Sequence, residues 1–251
     1  MEYKKLLSLA AEIGEKMLCC GAEVSRVEDS ISRICTAYGA SRVDVFTITS
    51  SIVVTAVFEG LPYTQTRRMK SYRTNFAMLN SLNALSRSIC TEKPSLEYIE
   101  KEISKISSLP GYKNLTQILA WALTAGAFTV FFGGCLTDGL LSLFIGAAIK
   151  LCVNAVERAG LNKVFSNITS SFLGSFLAYL FVWAGIGKST DMIIIGYIML
   201  LIPGIALTNA LRDVIDGDII SGVLRFFEAC LVAFSIAAGY FITVMIFGGV
   251  M

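Results

Sequence analysis

The chain is 251 residues long, 55% hydrophobic and only 16% charged, with a formal net charge of +2 and a mean hydropathy of +0.67. Soluble domains average roughly 25% charged residues, so this balance points to a membrane protein, and near-neutral charge argues against a nucleic-acid partner. Histidine is absent and the seven cysteines form no CxxC, so no metal site, no cofactor and no histidine-based catalysis is expected, and the thiols read as packing groups.

Charged residues crowd the first 113 positions and thin out after them. The opening twenty residues are not expected to be a signal peptide, because Glu12, Glu15 and Lys16 interrupt any apolar core. Leu6, Leu9, Ile13 and Met17 recur at helical spacing, and Val24, Val27, Ile31 and Ile34 repeat it, with Gly39 as a stop. The pattern then turns β-branched and partly alternating over 42–50 and 51–59, and a third strand is expected over 60–69, entered through Leu61-Pro62. Helical spacing returns over 74–90 and 95–107, and Pro110-Gly111 makes a hinge. The predicted order is ααβββαα: an α+β cytoplasmic domain over residues 1–112, with a small antiparallel sheet and helices on one face. Its polar residues read mainly as solvated helix faces, and Arg67-Arg68-x-Lys70 as a surface basic patch. A Ser-His-Asp set is impossible without histidine.

A spanning helix needs about 20 predominantly apolar residues. Residues 113–251 offer five, at about 115–136, 139–156, 164–187, 192–211 and 226–250, making an all-α membrane domain. With residues 1–112 inside the cell, Arg158, Lys163, Arg212 and Arg225 flank the spans on the cytoplasmic side and only Lys188 lies outside. This gives a multi-pass cell-membrane protein with its C-terminus outside. Ser170, Gly174 and Ala178 recur every fourth residue in the third span, a spacing that lets helix backbones approach closely.

The chemistry-bearing stretch closes the fourth span. Pro203 removes a backbone hydrogen bond inside an apolar helix and Gly204 permits further distortion. Beyond them Asn209, Arg212, Asp213 and Asp216 fall at i, i+3, i+4 and i+7, on one helix face. Ionisable groups near membrane depth mark paths for ions or polar solutes. A guanidinium such as Arg212 suits a carboxylate, and Asp213 or Asp216 suits an ammonium or a proton. Lys150, Asn154 and Glu157 form a second polar stripe in the second span and are expected to face this one. Asp216-Gly217-Asp218 reads as a turn capping the next helix.

The segment Gly21-x-Glu23-x-x-Arg26-Val27-Glu28 with Tyr38-Gly39, followed by five spans carrying Pro203-Gly204 and Asn209-x-x-Arg212-Asp213-x-x-x-Gly217-Asp218, resembles the N-terminal half of the threonine/serine exporter family. The resemblance covers essentially the whole chain. It implies a non-enzymatic exporter of a threonine/serine-type amino acid or a succinate-type dicarboxylate, driven by the proton motive force. It also implies the split form of the family, in which a smaller membrane protein supplies the second half, with homo-oligomers possible. Two other readings stand beside it: a non-transporting regulatory or scaffold subunit, and a membrane-anchored hydrolase using residues 1–112.

Overall fold

A computed structural model describes residues 2–69, 72 and 74–247. Lys70 of the expected basic patch and the last residues of the expected final span lie outside that set. The described chain is mostly helical, with one small sheet near its N-terminus. By its internal contacts it divides into two compact units, residues 1–110 with 205–227 and residues 111–204 with 228–251.

In the first unit, helices α1 (Glu2–Cys19) and α2 (Val24–Ala37) precede strands β1 (Arg42–Ile48), β2 (Ser51–Phe58) and β3 (Leu61–Arg68), and helices α3 (Phe76–Glu92) and α4 (Leu96–Ser107) follow. The sheet is antiparallel in the order β1-β2-β3, with Val45 opposite Val54 and Thr55 opposite Thr64. β2 alternates half-buried and buried positions, so Ile52, Val54, Ala56 and Phe58 point to one side. There they join Leu6, Ile13 and Met17 of α1 and Val27, Ile31 and Ile34 of α2 in one core. Gly14 makes the α1–α2 approach possible, since a Cβ there would meet Ile31 Cδ1 at 2.5 Å. Arg67 lies back against α1, donating to the Ser8 hydroxyl at 2.9 Å. The rest of this unit comes from far along the chain: α9 (Gly204–Ile215) and the beginning of α10 (Ile219–Phe247).

The second unit holds α5 (Asn114–Phe131), α6 (Leu136–Arg158), α7 (Lys163–Trp183), α8 (Thr190–Leu201) and the remainder of α10. Among the described residues four helices are long and apolar enough to cross a membrane, α5, α6, α7 and α10, or five if α8 and α9 count as one bent span. The interior of this unit joins an apolar cluster that includes Ile145, Ile149, Ile193 and Leu201 to small and hydroxylic side chains. The buried positions of α7 are Ser166, Ser170, Ser171, Gly174, Ser175 and Ala178. Its larger apolar residues are half-buried or exposed, and Leu177, Phe181 and Val182 pack against the apolar cluster of this unit. Gly174 leaves room for the Tyr197 ring, whose hydroxyl bonds Ser175 at 2.5 Å. Ser171 reaches the Ile236 carbonyl at 2.7 Å and Thr129 meets Ser142 at 2.6 Å. Asp138 completes a capping box at the start of α6: it accepts the Cys135 amide at 3.4 Å and also the Lys188 amide at 2.7 Å.

Candidate functional site

The site begins with a defect in local structure. After α1 the chain turns through Gly21, which sits at φ +101°, a conformation that suits a residue without a Cβ. Glu23 then occupies the N-cap position of α2 in an extended conformation but makes no capping bond to the helix. The first amides of a helix have no partner within it. The missing acceptor comes from about 190 residues away, where Asp213 Oδ1 takes the Val24 amide at 3.1 Å. A carboxylate at that end of a helix is also favoured by the helix dipole.

Asp213 is delivered by α9, which starts just past a break in an apolar stretch. α8 ends at Leu201, the Ile202-Pro203 pair is not helical, and the chain bends by 56° before α9 continues. The sequence suggested a kink here; the structure has a full break, with the Gly204 amide turned to the Ile202 carbonyl. α9 ends in a turn in which the Asp218 amide donates to the Asp213 carbonyl at 2.8 Å and Gly217 takes φ +99°. α10 then starts, and Gly222 lies so close to α9 that a Cβ would meet the Ala210 carbonyl oxygen at 2.7 Å.

From these two helices four side chains reach four consecutive residues, 21–24. Asn209 donates to the Gly21 carbonyl at 2.9 Å. Arg225 donates to the Ala22 carbonyl at 2.9 Å. Arg212 pairs with the Glu23 carboxylate, and Asp213 accepts the Val24 amide. One residue further on, the Ser25 hydroxyl donates to Asp216 Oδ2 at 2.9 Å. Arg225 Nε also stands 3.3 Å from Asp213 Oδ2, so the acceptor of Val24 is itself half of an ion pair.

The two ion pairs of this clasp differ in kind. Asp213 is fully buried and the Arg225 side chain is only 10% exposed. Such a pair costs several kcal/mol per ion in desolvation, and removing one member strands the other. The Arg212 side chain is 50% exposed, and its partner Glu23 also faces Arg26, Nη2 to Oε2 at 3.4 Å, with Arg26 47% exposed. An exposed pair of this type is worth about 0–1 kcal/mol. The inner pair is shielded from solvent and the outer pair is open to it.

Glu28 lies one turn further along α2, where its carboxylate accepts the Thr47 amide at 2.7 Å. Burial pushes its carboxyl up from the ordinary value, against the lowering effect of that amide, and the charge of Asp218 adds to the rise. Asp218 is itself pushed up by burial and by the neighbouring charge of Asp216. Ser221 at the start of α10 reaches the Thr47 carbonyl at 3.4 Å.

The structure thus brings Gly21, Glu23 and Arg26 together with Asn209, Arg212, Asp213 and Asp216, two sets that the sequence held apart. Lys150, Asn154 and Glu157 lie on α6 in the second unit. There Lys150 Nζ is 5.2 Å from the Trp121 ring centroid, Asn154 donates to Asn114 at 2.7 Å, and Glu157 is exposed. The sequence alone presents Arg225 only as a charge flanking a span. Its signal is the Ser221/Arg225 spacing of four on one face of a helix whose other charged residue is Glu228. Among the described residues no three His, Cys, Asp or Glu side chains gather as a metal site. An open groove of about 800 Å³ is lined by Glu2, Lys4, Lys5, Ser8 and Glu97, among others, and shares no residue with the clasp. Lys5 there is already paired with Glu100 at 2.7 Å. The buried ion pair Asp213–Arg225 lies in the clasp and not in this groove.

Comparison with known proteins places these residues in a wider set. The family described as "Putative threonine/serine exporter" matches residues 8–247. The "Threonine/serine exporter" of Corynebacterium glutamicum is 28% identical over 242 residues, covering 93% of this chain and 50% of that protein. The "Probable succinate transporter subunit YjjP" of Escherichia coli strain K12 is 23% identical over 98% of this chain and 96% of its own length. The "Probable threonine/serine exporter" of Mycobacterium tuberculosis is 20% identical over 97% of this chain and 46% of that protein. The chain therefore spans about half the length of two of these relatives and nearly all of the third. No solved structure matches it.

Proposed function

Because this chain belongs to the threonine/serine exporter family, we propose that it is the larger subunit of a membrane exporter for a small carboxylate-bearing metabolite. The observation that carries this reading is the buried Asp213–Arg225 pair beside a broken apolar helix, joined to the Gly21–Val24 turn by Asn209 and Arg212. Broken helices in transporters free backbone groups and admit ionisable side chains where solute or ion passes. In this reading Arg212 receives the solute carboxylate and Asp213 takes and returns a proton, so that export draws on the proton motive force. Pro203 and Gly204 supply the bend, Asp216 steadies α2 through Ser25, and Lys150, Asn154 and Glu157 line a further part of the path. The solute is of the threonine/serine or the succinate type, the two kinds named among the relatives. The first 112 residues face the cytoplasm. A smaller membrane protein completes the exporter, supported by the match to half of the longer relatives and to nearly the whole of YjjP.

The test is solute flux in vesicles that contain this chain with its partner. Arg212→Ala and Asp213→Asn, expressed at normal levels, are expected to abolish export of the transported carboxylate. Undiminished flux in both variants contradicts the site. Export by the partner alone favours the scaffold reading instead.

A further inference from the structure

We infer that the Glu23 carboxylate occupies, in the solute-free protein, the place that a solute carboxylate takes on Arg212, with Arg26 open to the second group of a dicarboxylate, so that α2 carries a built-in competitor for its own transport site. The inference rests on the exporter reading above and adds to it a second arginine and a displaceable ligand.

Three observations support it. Glu23 stands between two guanidinium groups, one from α9 and one from its own helix, with Oε1 toward Arg212 and Oε2 toward Arg26. Both arginine side chains are about half exposed while Glu23 is 16% exposed, so solvent reaches the cations more readily than the carboxylate between them. The N-cap position that Glu23 fills gives the helix no bond from its side chain, because Asp213 does the capping. Glu23 can therefore leave Arg212 without uncapping α2. Exchange of one carboxylate for another at half-exposed guanidinium groups conserves the number of charge-assisted hydrogen bonds. The displaced Glu23 keeps Arg26 as a partner when a monocarboxylate binds, and a dicarboxylate has a second group with which to contest Arg26 as well. The Asp213–Arg225 pair is buried and bound to backbone on both sides, and it takes no part in this exchange of carboxylates.

The experiment is calorimetric titration of the purified full chain in detergent with succinate and, separately, with L-threonine. Glu23→Gln keeps the side chain's shape and removes the competing charge. It is expected to tighten binding of the preferred carboxylate about two- to fivefold, the value of an exposed ion pair. Arg212→Ala is expected to weaken it about tenfold or more, and Arg26→Ala to weaken succinate more than threonine. Asp29→Asn removes a carboxylate of the same helix that pairs with Arg33, away from Arg212, and is expected to leave affinity unchanged. A Glu23→Gln protein that binds with unchanged or weaker affinity overturns the inference, as does equal tightening by Asp29→Asn. An unaltered chain that binds neither carboxylate overturns it too. Failure of the exporter reading shows separately, as absence of flux in the complete vesicles.

Discussion

The buried pair makes the most quantitative prediction. Asp213→Asn preserves an oxygen for the Val24 amide but removes the charge facing Arg225, while Arg225→Met leaves the Asp213 carboxylate buried with only that amide. Removing one member of a buried pair costs about 3–5 kcal/mol. Because Arg225 keeps 10% exposure and its bond to the Ala22 carbonyl, the lower end applies, about 3 kcal/mol for Asp213→Asn. Arg225→Met also loses that backbone bond, adding about 1 kcal/mol. The double variant removes both charges together and is expected to lose about 3 kcal/mol less than the sum of the singles. The assay is hydrogen exchange at the first turn of α2, read as an opening free energy for residues 22–27. Asp213→Ala, compared with Asp213→Asn in the same assay, isolates the cap at about 1 kcal/mol. If the single effects add to within about 0.5 kcal/mol, the two side chains are not coupled and the clasp is misread.

Three other outcomes follow from the same structure. Glu28 holds its proton more tightly when folded than at its ordinary value of 4.5, so its contribution to stability falls as pH rises from 4.5 through the raised value. Glu28→Gln, which can still accept the Thr47 amide, is expected to flatten that part of the thermal-stability profile and to raise the melting temperature at neutral pH. Gly196→Ala puts a Cβ 2.8 Å from the Ala125 carbonyl oxygen and closer still to Thr129 Oγ1, so overpacking of α8 on α5 should cost about 1–3 kcal/mol, read as a lower melting temperature in detergent. Burial pushes the Cys35 thiol up to about 12, so maleimide at neutral pH should label half-buried Cys19 in the folded protein well before Cys35, and Cys35 only on unfolding.

Periodicity made the first 110 residues legible. The buried Val24, Val27, Ile31 and Ile34 fall at the spacing that defined α2, and the alternation of β2 selects Ile52, Val54, Ala56 and Phe58. The membrane helices were legible from hydropathy, and the Ser170-Gly174-Ala178 spacing picks out positions that are all buried. What periodicity could not reach was pairing across long sequence separation. Glu23 and Arg212 looked like members of two unrelated motifs because nothing in a local window shows that Glu23 leaves its helix uncapped and that Asp213 fills the gap. Arg225 was lost for a similar reason. At the edge of an apolar span a guanidinium has the same local signature whether it meets headgroups or a buried carboxylate, and only the fold tells them apart. Pro203 announced a distortion, but whether the helix bends or breaks depends on partners for the freed carbonyls, which are tertiary.

The most direct test is efflux from sealed vesicles that hold the chain with its partner, preloaded in parallel with labelled threonine, serine or succinate. An outwardly useful proton gradient should drive loss of at least one of these, an uncoupler should stop it, and Asp213→Asn should match the uncoupled rate. Efflux no faster than from vesicles without the chain, for every one of these solutes and at any gradient, would contradict the proposed transport function.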